Sequence, residues 1–236
     1  MKAHEIVSKI LKYLASYAEV GMTTAQLDKI AERMVLEEGG IPYNKGYHPK
    51  WATSPFPAAT CISVNEEIAH GIPSERILKD GDLVSFDIGV KKDGVCGDAA
   101  LTIGIGNISI KDKKILTAAK RTLYSGIEHV KAGAKIKDIA QTMDSTAQIL
   151  GFRTNMNFTG HGIGSEMHEF PEMPNHWNGR DDEGEVLEKG QMVCLEPMIT
   201  KSQDRRGVRM SNGWTFRTLD GQPSAFFEHQ LLVTEE

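Results

Sequence analysis

Two aspartates, Asp87 and Asp98, stand on either side of the turn signal KKDG, and Asp87 interrupts the strand-like run LVSFDIGV, where a lone buried carboxylate is costly. A four-residue hairpin loop with Gly94 in the left-handed conformation would pair Val90 with Val95. That register places Asp87 directly opposite Asp98. Two like charges so placed destabilise a sheet unless one carboxyl group is protonated or a cation lies between them. The pair therefore predicts a cation site or a shared proton, although another register or a solvent-facing aspartate would also remove the conflict.

Two histidines lie in a glycine-rich segment, TGHGIGSEMHEFP, that runs from Thr159 to Pro171. His161 stands among glycines that allow the backbone to approach a site closely, and His168 follows it at a short distance along the chain. The segment is not the HExxH helix of zinc proteases, because the spacing differs and Pro171 follows, and it lacks the GK[ST] end of a phosphate loop. Taken alone, His161 has the alternative interpretation of a turn residue.

Two glutamates complete the set of candidate ligands. Glu196 in MVCLEPMIT and Glu228 in SAFFEHQLLVT are carboxylates in apolar strand-like runs, and each taken alone has the alternative of a charge on an edge strand. Together, four hard oxygen donors and one imidazole are what two divalent metal ions sharing bridging carboxylates require. Neither aspartate has the DTG or DSG context of an acid protease. The pattern therefore predicts hydrolysis assisted by metal ions.

The composition is that of an ordinary globular protein of 236 residues, with 40% hydrophobic and 25% charged positions. The formal net charge of -5 provides no basic surplus for binding nucleic acid. No apolar run approaches the roughly 20 residues of a membrane helix, and no signal-type block opens the chain. Three cysteines without CxxC spacing favour reduced thiols. These features predict a cytoplasmic protein that binds neither nucleic acid nor a membrane.

Four segments carry apolar residues at helical spacing and are predicted as amphipathic helices. They are marked by Val7, Ile10, Leu11, Leu14 and Ala18; by Leu27, Ile30, Ala31, Met34 and Val35; by Leu116, Ala119, Leu123, Ile127 and Val130; and by Ile136, Ile139, Ala140, Met143, Ala147 and Leu150. The Pro-rich and aromatic stretch 41–59 is typical of an irregular loop, and strand-like runs begin at Cys61 and Asp82.

The order of two helices followed by strands occurs twice, and the second helix of each set contains a similar sequence, LDKIAERM or IKDIAQTM. This repetition predicts one α+β domain over residues 1–236, built from two related halves at 1–108 and 109–236. A site between the halves would draw residues from both.

Six sequence blocks together resemble the type I methionine aminopeptidases over nearly the whole chain. The blocks are CISVNEEIAHGIP from Cys61, the Asp87 to Asp98 spacing, FTGHGIGSEMHEFPEMPNH from Phe158, LEPM from Leu195, NGWTFRT from Asn212 and FFEHQLLVT from Phe226, in the order of the family. The resemblance implies the pita-bread fold, in which two halves are related by a pseudo-twofold axis and helices cover a central curved antiparallel sheet.

The resemblance also implies roles for the candidate residues. The ligands of two divalent ions, cobalt, manganese, iron or zinc according to availability, would be Asp87, Asp98, His161, Glu196 and Glu228. Asp98 and Glu228 would bridge the ions. A water activated by them would attack the first peptide carbonyl, and Glu196 would carry the proton to the leaving amine. His70 and His168 would position the substrate and stabilise the tetrahedral oxyanion.

The implied activity is removal of the initiator methionine from nascent proteins and peptides with a small second residue. Besides His168, the residues expected to bind the substrate are those lining a methionine pocket: Phe56, Cys61, His70, Met167 and Trp214. Apolar, sulfur-containing and aromatic walls suit a thioether. The implied partners are the N-termini of nascent polypeptides, which the protein could bind at the ribosome. The implied oligomeric state is a monomer.

Three features depart from the family pattern. Ala99 and Ala100 follow Asp98 where a hydroxyl residue is common in the family. The loop 46–59 around the pocket is unusual for the family, and the chain begins a few residues after the usual family start. Two alternatives share the fold, namely an Xaa-Pro aminopeptidase or prolidase with the same ligand pattern, and a binding protein without catalysis. The AHGIP, LEPM and Trp214 blocks favour the methionine enzymes.

Overall fold

The computed structural model describes residues 2–177 and 185–235, and it contains four helices and fourteen strands within those ranges. The helices are α1 (Ala3–Tyr17), α2 (Thr24–Glu37), α3 (Ile110–Ile127) and α4 (Ile136–Ile149). The strands are β1 (Ile41–Pro42), β2 (Cys61–Val64), β3 (Glu67–Ala69), β4 (Leu83–Lys92), β5 (Val95–Gly104), β6 (Arg153–Thr154), β7 (Thr159–Gly162), β8 (Glu169–Pro174), β9 (Met192–Leu195), β10 (Ile199–Thr200), β11 (Gly207–Arg209), β12 (Phe216–Thr218), β13 (Ser224–Ala225) and β14 (Glu228–Leu232). In the part of the chain described, no helix has the length and apolar character needed to cross a bilayer.

The four predicted helices are confirmed, and α2 begins at a side-chain cap. The Thr23 hydroxyl accepts a hydrogen bond from the Gln26 backbone N at 3.2 Å, and Gln26 Oε1 accepts one from Thr23 N at 2.8 Å. This capping box satisfies two otherwise unpaired N–H groups at the start of α2. Val130 lies beyond the end of α3, and Ala18 and Leu150 lie just after the ends of α1 and α4, although the apolar spacing predicts all three within the helices.

A central antiparallel sheet of eight strands holds the molecule together, in the order β1-β4-β5-β14-β9-β7-β8, with β2 paired to β4. One buried cluster joins α1 and α2 to β4, and another joins α3 and α4 to β9. The predicted α+β class and the repeated order of two helices and then strands are therefore present. The relation between halves divided at residue 108 stays a prediction.

The predicted register of the β4–β5 hairpin is wrong. Lys92 pairs with Val95, so the loop contains only Asp93 and Gly94, both with positive φ (52° and 80°). Such a two-residue turn matches the twist of the flanking strands better than a four-residue loop does. As a result Asp87 lies opposite Ala100, and Asp98 lies opposite Gly89. The two aspartates remain on one face of the sheet as diagonal neighbours, because the register differs by two residues.

The stretch 41–59 is irregular as predicted, except for the two-residue strand β1, and a buried aspartate of α2 holds its end. Asp28 Oδ1 accepts hydrogen bonds from Ala59 N at 3.0 Å, Thr60 N at 2.9 Å and Thr60 Oγ1 at 2.7 Å. Burial raises the pKa of this carboxyl group. One side-chain oxygen thus satisfies three donors immediately before β2.

Replacing Asp28 with alanine is expected to lower the free energy of unfolding by about 2 to 4 kcal/mol, because buried donors lose their acceptor. Asp28→Asn keeps an oxygen at the same place and is expected to cost roughly 1 kcal/mol or less. Urea unfolding followed by circular dichroism measures both values. Equal losses in the two variants would contradict the role assigned to this oxygen.

Candidate metal centre

The five predicted metal ligands come from the middle of the central sheet. Asp87 lies in β4, Asp98 in β5, Glu228 at the start of β14, and His161 in β7. Glu196 follows the last residue of β9, so its predicted place within a strand is wrong. Pro197 has no N–H to donate to a ladder, which is consistent with pairing ending at Leu195. These strands are neighbours in the sheet, and this adjacency brings residues far apart in sequence together.

The distances between the side chains show how closely they converge. His161 Nε2 lies 3.8 Å from Asp98 Oδ2, 3.7 Å from Glu196 Oε1 and 3.9 Å from Glu228 Oε1. One oxygen each of Asp87, Asp98 and Glu228 lie within 4.8 Å of one another. Four carboxyl groups and one imidazole therefore surround a single point of the sheet.

These carboxyl groups repel one another and lack a neighbouring cation within the described residues. Burial raises the pKa of Asp87 to about 7, and burial together with the neighbouring carboxylates raises those of Asp98, Glu196 and Glu228 well above their usual range. Asp98 Oδ1 and Glu228 Oε1 are buried and accept no hydrogen bond from residues 2–177 or 185–235. Oxygen donors with unused lone pairs, beside one imidazole, are what divalent cations bind. The residues thus fit a metal centre.

The orientation of His161 suits a ligand as well. Its Nδ1 lies 2.9 Å from the carbonyl oxygen of Gly162, which can only accept, so Nδ1 carries the proton. Burial lowers the pKa of the ring, which therefore stays neutral. The lone pair of Nε2 then faces the carboxyl groups, the arrangement common for a metal-binding histidine.

The glycines around His161 are required by close contacts of the backbone. A Cβ atom on Gly160 would lie 2.2 Å from the carbonyl oxygen of Cys194, and one on Gly162 would lie 2.3 Å from that of Phe170. Strand β7 can therefore fit between its neighbours only with glycine at these positions. The expectation that these glycines permit close backbone approach is confirmed.

Two further histidines lie beside the carboxyl cluster. The ring of His168 is 4.3 Å from that of His161, and its Nδ1 is 2.8 Å from the Tyr47 hydroxyl. Burial lowers the pKa of His168 to about 3 and that of His70 to about 4. The His70 ring meets the edge of Phe158 at 5.1 Å. Both imidazoles are therefore neutral at pH 7.

A cavity of about 450 Å³ opens over the cluster and reaches every predicted site residue. It is lined by the five candidate ligands and by Phe56, Cys61, His70, Met167, His168 and Trp214. Phe56 and Trp214 meet edge to face at 5.0 Å. Gly89 leaves room for Met167, because a Cβ on Gly89 would lie 1.9 Å from the Met167 Cε.

Sequence reasoning missed several residues of this cavity, chiefly Asn44, Tyr47, Trp51, Phe158, Arg209 and Phe216. Asn44 joins two walls, since its Oδ1 accepts from Gly89 N at 2.6 Å and its Nδ2 donates to Cys61 Sγ at 3.5 Å. The aromatic residues in the loop 46–59 were the sequence signal that could have indicated part of this lining. Cys194, which the sequence did not place near the site, has its Sγ within 4.8 Å of ligand atoms of His161 and Glu228. All three cysteines are free and buried, as expected for reduced thiols.

The chain matches known proteins over its whole length. The model of metallopeptidase family M24 matches residues 1–235. Among curated proteins, methionine aminopeptidase 1 of Bacillus subtilis is 37% identical over 234 residues, covering 99% of this chain and 91% of the relative. The methionine aminopeptidase of Aquifex aeolicus is 36% identical over 236 residues, covering 100% and 91%.

Solved structures agree with these relatives. Methionine aminopeptidase from Rickettsia prowazekii superposes with a TM-score of 0.92 at 31% identity, covering 99% of this chain and 91% of that one. Prolidase from Pyrococcus furiosus, at 21% identity and a TM-score of 0.71, covers 99% of this chain and 59% of its own, and this match concerns the fold alone. The predicted pita-bread fold is confirmed.

Proposed function

Because the chain belongs to metallopeptidase family M24, we propose that it removes N-terminal methionine with two divalent ions held by Asp87, Asp98, His161, Glu196 and Glu228. Membership of the family implies dependence on divalent metal. The observation that carries the proposal is the convergence of four buried carboxyl groups and a neutral imidazole in one cavity. Ions bound there would lower the pKa of water and polarise the substrate carbonyl.

The count and spread of the donors support the proposal of two ions. Four carboxyl groups carry four negative charges when ionised, which two divalent cations balance and a single cation does not. Asp98 and Glu228 lie on the adjacent strands β5 and β14 and are suited to bridge the ions. Cobalt, manganese, iron and zinc all accept such donors, and availability decides among them.

Glu196 is the proposed proton carrier. It lies just beyond the end of β9, and its Oε1 is 3.7 Å from His161 Nε2 on the wall of the cavity. Its carboxyl group takes a proton from the attacking water and delivers it to the leaving amine. This role requires the ionised form, which bound cations favour.

His168 and His70 are proposed to stabilise the oxygen of the tetrahedral intermediate and to orient the substrate. The Tyr47 hydroxyl lies 2.8 Å from His168 Nδ1, and in the tautomer that we propose it donates to Nδ1, so that Nε2 carries the proton and is the donor to the substrate. A neutral N–H donor aimed at developing negative charge is the usual means of such stabilisation. His70 lies among the rings of Trp51, Phe158 and Trp214, which restrict its orientation.

The methionine side chain is proposed to occupy the part of the cavity bounded by Phe56, Cys61, Met167 and Trp214. These residues are buried and apolar, so the thioether replaces water against sulfur and aromatic surfaces. The depth of this pocket, rather than charge, would then select a small second residue. We propose nascent chains in the cytoplasm, met at the ribosome, as the substrates of a monomeric enzyme.

The proposal is tested by incubating the protein with Mn²⁺ or Co²⁺ and the peptides Met-Ala-Ser, Leu-Ala-Ser and Ala-Pro in parallel. Cleavage confined to Met-Ala-Ser is the expected result. Activity on Ala-Pro alone would instead identify an Xaa-Pro hydrolase. No turnover and no stoichiometric metal in a calorimetric titration would identify a binding protein.

A further inference from the structure

Arg209 is a cation on the wall of the cavity that the proposed reaction does not use. Its exposed side chain lines the cavity together with the candidate metal ligands. Its Nη1 donates a hydrogen bond to the carbonyl oxygen of Trp51 at 2.9 Å. No carboxylate oxygen from residues 2–177 or 185–235 lies within 4.0 Å of the guanidinium. A guanidinium has five N–H donors, so most of those on Arg209 are available to a ligand.

The hydrogen bond to Trp51 determines where Arg209 stands. The indole of Trp51 stacks on His70, with ring centres 5.8 Å apart, and meets Trp214 edge to face at 4.9 Å. We call Trp51, His70 and Trp214 the aromatic wall. Arg209 is thus attached to this wall, which lies between the methionine pocket and solvent. Trp51 is itself 45% exposed, which places this wall at the opening of the cavity.

The charge of the occupied cavity favours an anion at that opening. Under the proposed function, two divalent ions balance the four acidic ligands. Arg209 then adds a positive charge that no side chain within the described ranges neutralises by an ion pair. The planar fork of a guanidinium matches a carboxylate in shape as well as charge.

We propose that Arg209 binds a carboxylate of the substrate just beyond the scissile bond. The proposal rests on the proposed function, which places the methionine side chain inside the cavity and directs the rest of the peptide out through the opening. Successive residues of an extended chain are about 3.3 Å apart, so the group that reaches the opening belongs to the next residues. The carboxylate comes from an acidic third residue or from the C-terminus of a tripeptide.

The test compares Met-Ala-Glu-amide, Met-Ala-Gln-amide and Met-Ala-Gln with a free C-terminus, using wild type, Arg209→Gln and Arg209→Lys with Mn²⁺. Wild type is expected to show a KM about three- to tenfold lower for one or both carboxylate-bearing peptides, with unchanged kcat. The peptide that benefits identifies the source of the carboxylate. Arg209→Gln is expected to remove the difference by raising KM for that peptide alone, and Arg209→Lys to keep part of it.

Arg206→Gln is the matched control, because it removes the same charge from an exposed residue that does not line the cavity, and it is expected to preserve the preference. No preference in wild type, or equal losses on all peptides in Arg209→Gln, would overturn the proposal and leave Arg209 with only its contact to Trp51. Calorimetric binding of the same peptides gives the comparison independently of turnover. Failure of the proposed function would appear separately, as absence of cleavage of Met-Ala-Gln-amide by every variant.

Discussion

Replacing Asp98 with asparagine is expected to lower kcat on Met-Ala-Ser on the order of a thousandfold and to weaken metal binding, because a proposed bridging carboxylate is lost. Burial, and after it repulsion by the neighbouring carboxyl groups, raises the pKa of Asp98, and its Oδ1 has no hydrogen-bond partner within the described residues. Manganese titration by calorimetry measures the stoichiometry and affinity, and peptide hydrolysis measures kcat.

The metal-free form separates this effect from unfolding. Without metal, asparagine relieves the repulsion among buried carboxylates, so the melting temperature of Asp98→Asn is expected to equal or exceed that of wild type. Asp93→Asn is the matched control, since it changes the same charge in the exposed turn of the same hairpin, where asparagine tolerates positive φ. Full metal binding and full activity in Asp98→Asn would refute the assignment of this ligand.

Replacing His168 with glutamine is expected to lower kcat by about 10² to 10³ while metal binding persists, because a hydrogen bond to the developing oxyanion is lost. His168 stands 4.3 Å from the ring of His161 but is proposed to bind the substrate rather than an ion. Single-turnover hydrolysis and manganese titration of the same preparation give the two quantities.

Tyr47→Phe distinguishes positioning from direct contact. It removes the hydroxyl that lies 2.8 Å from His168 Nδ1 but keeps the ring, so a smaller loss of kcat is expected. His129→Gln, at an exposed site after α3, is the control and is expected to behave as wild type. Loss of metal together with activity in His168→Gln would show instead that this histidine is a ligand.

Local sequence was sufficient for the helices and for the types of side chain at the site. The period of apolar residues in α1 to α4 reflects burial of one helix face, and this pattern is recognisable from residues three or four positions apart. Carboxylates within apolar runs were recognisable because such burial is costly without a partner. The prediction of the hairpin register was wrong because the sequence KKDG is compatible with more than one loop length. The shorter loop, with only Asp93 and Gly94, fits the twist of the two strands.

The aromatic wall of the cavity could not be predicted from the local sequence. Trp51, in the loop 46–59, meets His70 from its own half of the chain and Trp214 from the other half, and the sequence around Trp51 specifies neither contact. Nothing in the neighbourhood of Arg209 in the sequence indicates that its guanidinium reaches the Trp51 carbonyl group.

The amino-acid sequence by itself determined which donors this protein offers, four carboxylates and an imidazole, and the family to which those donors belong. Tertiary structure alone decided that the donors meet, because the pairing of β14 with both β5 and β9 joins distant segments and no local interaction specifies it. It also decided which surfaces surround them. Long-range strand pairing and burial select one arrangement from many that the local sequence permits.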